Sequence, residues 1–315
     1  MANENIQFFV KTQKVDLSKC LCPLDCKEKA IKAHSIQNAK VIDMIATEGN
    51  VMMPRGVVKN GEMHLELGKV GRQDASTFTG LCSKHDIELF KAIDTKPLNI
   101  DNCEQRRQLA TRAYLRQFHT ELANAERDWN RHEQYCKENG LDSSNPFTPY
   151  YQMYDYWIDK SHELYRYYRK HIEEPMERGI EPSLRSLIIT MDKQAPVFAC
   201  SALFSIGHTS GNDLVAVMLT VLPLTPTYTV AILTYARDHE DEVKKGLASV
   251  FDADEKTLKH ELAKLIIEKV ENFALSPAHH AKWSAEKKKR VIDEFEKTMM
   301  GGKVTDHPDL NVFLT

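Results

Sequence analysis

The sequence predicts an α+β protein: a turn-rich N-terminal unit, then a helical hairpin, a mostly antiparallel four-stranded sheet and C-terminal helices. Three observations predict it. Before residue 100, glycines punctuate short segments that carry clustered cysteines. Between 104 and 178, apolar residues recur at three- and four-residue steps among charges. Between 183 and 236, four runs rich in β-branched residues are separated by Pro, Gly, Asn or Asp. The chain accordingly divides into residues 1–100 and 101–315.

In the first unit, Asn60-Gly61 lies between Val57-Val58 and the alternating run Met63 to Leu67. That is a two-residue hairpin signal, because both turn residues tolerate positive φ. After Cys82, the segment KHDIELFKAID places Ile87, Phe90 and Ile93 on one helical face, and Pro97 ends it. Leu115, Phe118, Leu122, Ala125, Trp129, His132 and Cys136 then mark a long amphipathic helix that Gly140 stops. Met153, Trp157, Leu164, Tyr168, Ile172 and Met176 mark a second helix up to Gly179. Its many tyrosines read as packing between two antiparallel helices, against the alternative of a ligand-stacking surface. SLRSLIITM, PVFACSALFSI, LVAVMLTVLPL and TYTVAILTYA are the strands. Helices then fill 238–301: Asp254 or Asp252 caps one, Ser284 starts another, and Gly301-Gly302 stops it. The final TDHPDLNVFLT packs only if Val312, Phe313 and Leu314 find a groove.

Composition narrows the classes. At 315 residues, 42% hydrophobic and 28% charged, the chain is an ordinary globular sequence. The longest apolar stretch, Leu214 to Leu224, is about half of the roughly 20 residues that a bilayer requires. Membrane partners are therefore not expected. The start MANENIQFFVKTQKVD lacks a basic head before an apolar run, so the expected compartment is the cytoplasm. A net charge of −3 provides no broad basic field, which leaves nucleic acid to a local patch. Self-association into a homo-oligomer stays open.

Cysteine is the informative residue. Four of the seven, Cys20, Cys22, Cys26 and Cys82, cluster in one segment with His34 and His85, and in a reducing compartment such clustering argues for metal. Zn²⁺ takes four tetrahedral N or S ligands, usually as two close pairs. Cys22-Pro-Leu-Asp-Cys26 and Cys82-Ser-Lys-His85 are such pairs, the second at the start of a helix as in a treble-clef finger. Cys20 is the alternative to Cys22. The metal is expected to be structural, since a turn-rich segment of this size has a thin core.

CLCPLDC, AHSIQNAKVIDMIATEGNV and GRQDASTFTGLCSKHDIELFKAID together resemble an N-terminal module of uncharacterised bacterial proteins. That module looks like a divergent relative of HNH-type zinc-bound nuclease fingers. The resemblance spans residues 18–95. It implies His34 as the general base, and Asn38 with Asp86 or Glu88 as oxygen ligands to Mg²⁺. It also implies a nuclease in phage defence or a toxin. The residue before the histidine, often Asp in active HNH sequences, is Ala33, which removes one ligand. The other reading of His34 is a side chain that bonds across the finger or adds to the zinc shell. Two function classes follow: a zinc-binding interaction or sensor protein, and an HNH-like nuclease.

Other features carry less. Arg127/His132, Arg166/His171 and Arg112/His119 resemble the helical pairs of HEPN-type ribonucleases, but 13 histidines make such spacings common, and surface charge is the plainer reading. Gly207 to Asp213 reads as a loop, and Asp238 to Glu242 as the acidic start of a helix. His279-His280 reads as an interhelical turn, and Lys287 to Arg290 as a solvated basic face.

Overall fold

The structure is a computed structural model that describes residues 17–22, 26–59 and 62–315. The N-terminal sixteen residues, Pro23-Leu24-Asp25, and Asn60-Gly61 with the hairpin signal it carries lie outside the described residues.

Two sheets organise the chain. The smaller pairs β1 (Ile31–His34) with β4 (Thr77–Leu81), antiparallel, with Ala33 opposite Phe78 and His34 opposite Thr77. Between them run a helical turn over residues 38–45 and the hairpin of β2 (Asn50–Lys59) and β3 (Glu62–Gly71). The hairpin is paired residue for residue from Asn50↔Gly71 to Lys59↔Glu62.

The larger sheet has seven antiparallel strands, in the order β3-β2-β9-β6-β7-β8-β5. The four expected strands are present: β5 (Leu184–Asp192), β6 (Phe198–His208), β7 (Leu214–Thr225) and β8 (Tyr228–Ala236). The sheet extends beyond them, because the three-residue β9 (Phe273–Leu275) joins β6 to β2 and so draws in the N-terminal hairpin.

Helices cover both faces, which explains the long apolar run. The first helix, α1 (Ser83–Thr95), precedes a hairpin of α2 (Cys103–Asn139) and α3 (Pro149–Tyr168). Along β7, Leu214, Ala216 and Met218 pack with that hairpin. The alternate residues Val215, Val217, Leu219 and Val221 pack with the C-terminal helices α4 (Leu258–Lys269) and α5 (Ala285–Met299). With neither face wet, the period of two survives, and Thr220 is the one polar residue between Leu214 and Leu224.

The helical hairpin follows its punctuation. Asn102 accepts from the Gln105 N–H to open α2, and Gly140, at φ +63°, turns its N–H back to the Cys136 carbonyl. Thr148 caps α3. The Tyr-rich face packs between the helices: Tyr151 and Tyr154 meet Trp129, and Trp157 Nε1 donates to Asp128 at 2.9 Å. Three expected apolar positions are instead exposed: Ile87 on α1, Met153 on α3, and Met176.

The chain end does find its groove. Leu310, Val312 and Phe313 are buried against α4 and α5, while the Leu314 side chain stays exposed. Lys287 departs from the expected basic face: it is buried, and its ammonium donates to the carbonyls of Asn311 and Leu314 at 2.9 and 2.8 Å. His279 is buried as well and bonds the Val312 carbonyl.

Candidate metal centre

The centre forms where β4 runs into α1. An antiparallel bridge, Lys19↔Lys29, closes the cysteine turn, and the Leu21 N–H donates to the Gly80 carbonyl at 2.8 Å, which docks the turn on the end of β4. Cys82 stands at the N-cap of α1 and His85 one turn in, so the two side chains share a face.

The Cys20 and Cys82 sulfurs lie 3.3 and 3.4 Å from His85 Nδ1. With the Cys26 sulfur, all four ligand atoms fall within 4.8 Å of one another. Zinc bonds of about 2.3 Å to sulfur and about 2.0 Å to nitrogen separate tetrahedral S and N ligands by about 3.5 Å, so the spacing fits. Three thiols and an imidazole with no oxygen donor make a closed, soft set suited to structural zinc. Cys20 and Cys82 are buried, and Cys26 and His85 half-buried.

The electrostatics divide the thiols. The His85 backbone N–H at the start of α1 holds the Cys82 thiol below its usual range. Burial pushes the Cys20 thiol up to about 11, so deprotonation there needs a compensating cation.

One expected ligand is corrected. Cys22 is not in the cluster; the chain bends at this residue and sends its sulfur to the Tyr168 hydroxyl, 3.7 Å away. Cys20, the alternative, takes its place.

The residues expected to hold Mg²⁺ engage separate protein partners. Among the described residues, the converging His, Cys, Asp and Glu groups are the Cys20/Cys26/Cys82/His85 cluster and a second of His171, Asp238 and His239; neither contains His34, Asp86 or Glu88. His34 Nδ1 donates across the small sheet to the Ala75 carbonyl at 2.8 Å, and Asn38 donates to Gln73. Asp86 sits in the field of Arg112 and Asp94, its carboxyl raised by burial, while Glu88 is exposed.

Of the helical Arg/His pairs, Arg112, His132 and His171 are buried rather than surface charge, while Arg166 is exposed. His132 is buried and bonds Thr148 and the Ser143 carbonyl. Arg112 stacks on Phe90 and pairs with Asp94, and His119 contacts Thr79. Of the expected Gly207 to Asp213 loop, Gly207 and His208 end β6 and the rest is a turn; of the acidic run Asp238 to Glu242, Glu240 to Glu242 open a helix, while Asp238 lies in a 3-10 turn before it.

Among the described residues, no helix is long and apolar enough to cross a membrane. No protein-family model, curated protein or solved structure matches the chain.

Proposed function

We propose that the protein is a zinc-binding interaction or sensor protein in which a Cys3His centre staples a treble-clef-like finger onto the helical hairpin. The observation that carries this reading is the convergence of Cys20, Cys26, Cys82 and His85 from two segments about 60 residues apart. Two further features support it. The finger has no core of its own: Leu21, Phe78, Leu81 and Phe90 pack with Ala113, Tyr114 and Phe118 of α2. The finger also walls a cavity of about 370 Å³, large enough for a small molecule, where Ile36, Val41 and Met44 face Leu109 and Leu222.

Metal analysis and chelation test the reading. The purified protein should carry about one zinc at this site, and chelation should lower the thermal midpoint and expose residues 17–100 to protease while the large sheet stays protected. An unchanged midpoint and digest would refute a structural metal. A Leu109→Trp substitution should block small amphipathic ligands that otherwise raise the midpoint; if no ligand raises it, or if the substitution fails to block those that do, the cavity has no sensing role.

An HNH-like nuclease is the second reading, and one observation favours it. The Ala75 carbonyl takes the Nδ1 proton of His34, which leaves Nε2 as the base. Plasmid and RNA incubated with Mg²⁺, beside a His34→Ala variant, decide the matter: this reading needs cleavage that the variant loses.

A further inference from the structure

A second cluster forms beyond the helical hairpin, from residues that take no part in the cysteine site. After α3 the helix widens into a π-helical segment, Arg169–Glu173, with His171 at its centre. After β8 the chain makes a single 3-10 turn, Arg237–His239, which carries Asp238 and His239. These two irregular segments face each other. His171 Nδ1 lies 3.6 Å from Asp238 Oδ1, and the two imidazole centroids are 4.9 Å apart. One ligand atom from each of the three residues falls within 4.8 Å of the others.

The details fit a ligand set better than they fit packing. His171 and His239 are buried, whereas Asp238 is exposed. The Nδ1 atom of His239 is enclosed and has no hydrogen-bond partner. A buried ring nitrogen left so is uncommon, and a missing ion is one of the few explanations for it. The floor is fixed: Tyr167 packs on both imidazoles, and its hydroxyl donates to the Ala216 carbonyl and accepts from the Ala236 N–H. Tyr167 thereby sets both rings against the end of the sheet. A π turn inside an otherwise regular helix costs backbone geometry and recurs at functional sites.

We propose that His171, Asp238 and His239 bind a divalent first-row transition metal. Two imidazoles and one carboxylate suit Zn²⁺, Co²⁺, Ni²⁺ or Fe²⁺, and not the all-oxygen shells of Mg²⁺ or Ca²⁺. Three protein ligands leave coordination positions open, in contrast to the closed cysteine site. His171, though neither Asp238 nor His239, also lines a cavity of about 320 Å³ with Arg166, Lys170, Glu174 and Asp213, so there is space beside the site for a small ligand. This assignment does not rest on the zinc-finger reading, and either can fail alone.

Cobalt titration of the untagged protein, carrying a single zinc equivalent in its cysteine site and none in the second cluster, tests it. The wild type should take up one Co²⁺ equivalent that shows weak visible ligand-field bands without thiolate charge transfer. Cys82→Ser should keep that equivalent. Asp238→Ala, a change at an exposed side chain, should weaken it at least tenfold, and His239→Ala should abolish it. Where His239→Ala misfolds by circular dichroism, Asp238→Ala decides. A wild type that binds no such equivalent, or an Asp238→Ala variant that binds with unchanged affinity, overturns the assignment.

Discussion

The Cys22 sulfur lies 3.7 Å from the Tyr168 hydroxyl, turned out of the Cys/His cluster and into the seam between the N-terminal segment and the helical hairpin. Tyr168 in turn stacks on Tyr114 at 4.2 Å, nearly parallel, and both rings are buried. The seam is thus held by aromatic packing, with the thiol contact a minor addition. Tyr168→Phe should change stability by less than about 1 kcal/mol, and Tyr168→Ala should cost about 3 kcal/mol. Denaturant midpoints of the two variants check this; equal losses would show that the hydroxyl, and not the ring, holds the seam.

Arg112 joins α1 to α2 in two ways. Its guanidinium donates to both oxygens of Asp94, at 2.9 and 3.3 Å, and lies 4.1 Å above the Phe90 ring. Lysine reproduces the charge but neither the fork nor the stacking. Since Asp94 is partly solvated, Arg112→Lys should cost about 2 kcal/mol rather than the larger figure of a fully buried pair. A denaturant midpoint equal to that of the wild type would show that only the charge matters.

Stability should fall in mild acid through His119. Burial, with the Arg116 charge beside it, brings this histidine down from 6.5 to about 4. Thr79 uses its own proton on the Leu17 carbonyl, so His119 Nε2 donates to Thr79 and Nδ1 is left neutral and enclosed. Between about pH 6.5 and 4 the unfolded chain binds a proton that the folded chain refuses, so stability is lost as pH falls through that window. The loss should reach about 2 kcal/mol near pH 4. Unfolding free energies of the wild type and His119→Gln, measured across that range, should converge as the pH drops; parallel curves would exclude His119 as the source.

The C-terminal segment acts as a core element. Val312 and Phe313 are buried, and the Leu314 carbonyl accepts from both Lys287 and Trp283. Ending the chain at Asn311 should cost about 4 kcal/mol from the two lost side chains. A thermal midpoint within a few degrees of the full-length value would contradict the packing described.

How far the sequence reveals this structure depends on the range of the signal. The four strands from Leu184 to Ala236, the Gly140 helix stop and the Ser284 cap are local and legible. The merging of the N-terminal hairpin into the large sheet is not, because it depends on Phe273–Leu275, three residues with no alternation to read. The cysteine pairs announce a metal, yet the choice between Cys20 and Cys22 depends on a bend that spacing does not encode. The meeting of His171 with Asp238 has no local signal, since the two are brought together by the sheet that lies between them in sequence.

The metal content of Cys20→Ser beside Cys22→Ser tests the central claim most directly. Elemental analysis of the two untagged proteins, with the His171 site blocked by Asp238→Ala, should find about one zinc per chain in Cys22→Ser and almost none in Cys20→Ser. Zinc retained by Cys20→Ser and lost from Cys22→Ser, or absent from both and from the parent, would contradict the Cys3His centre described here.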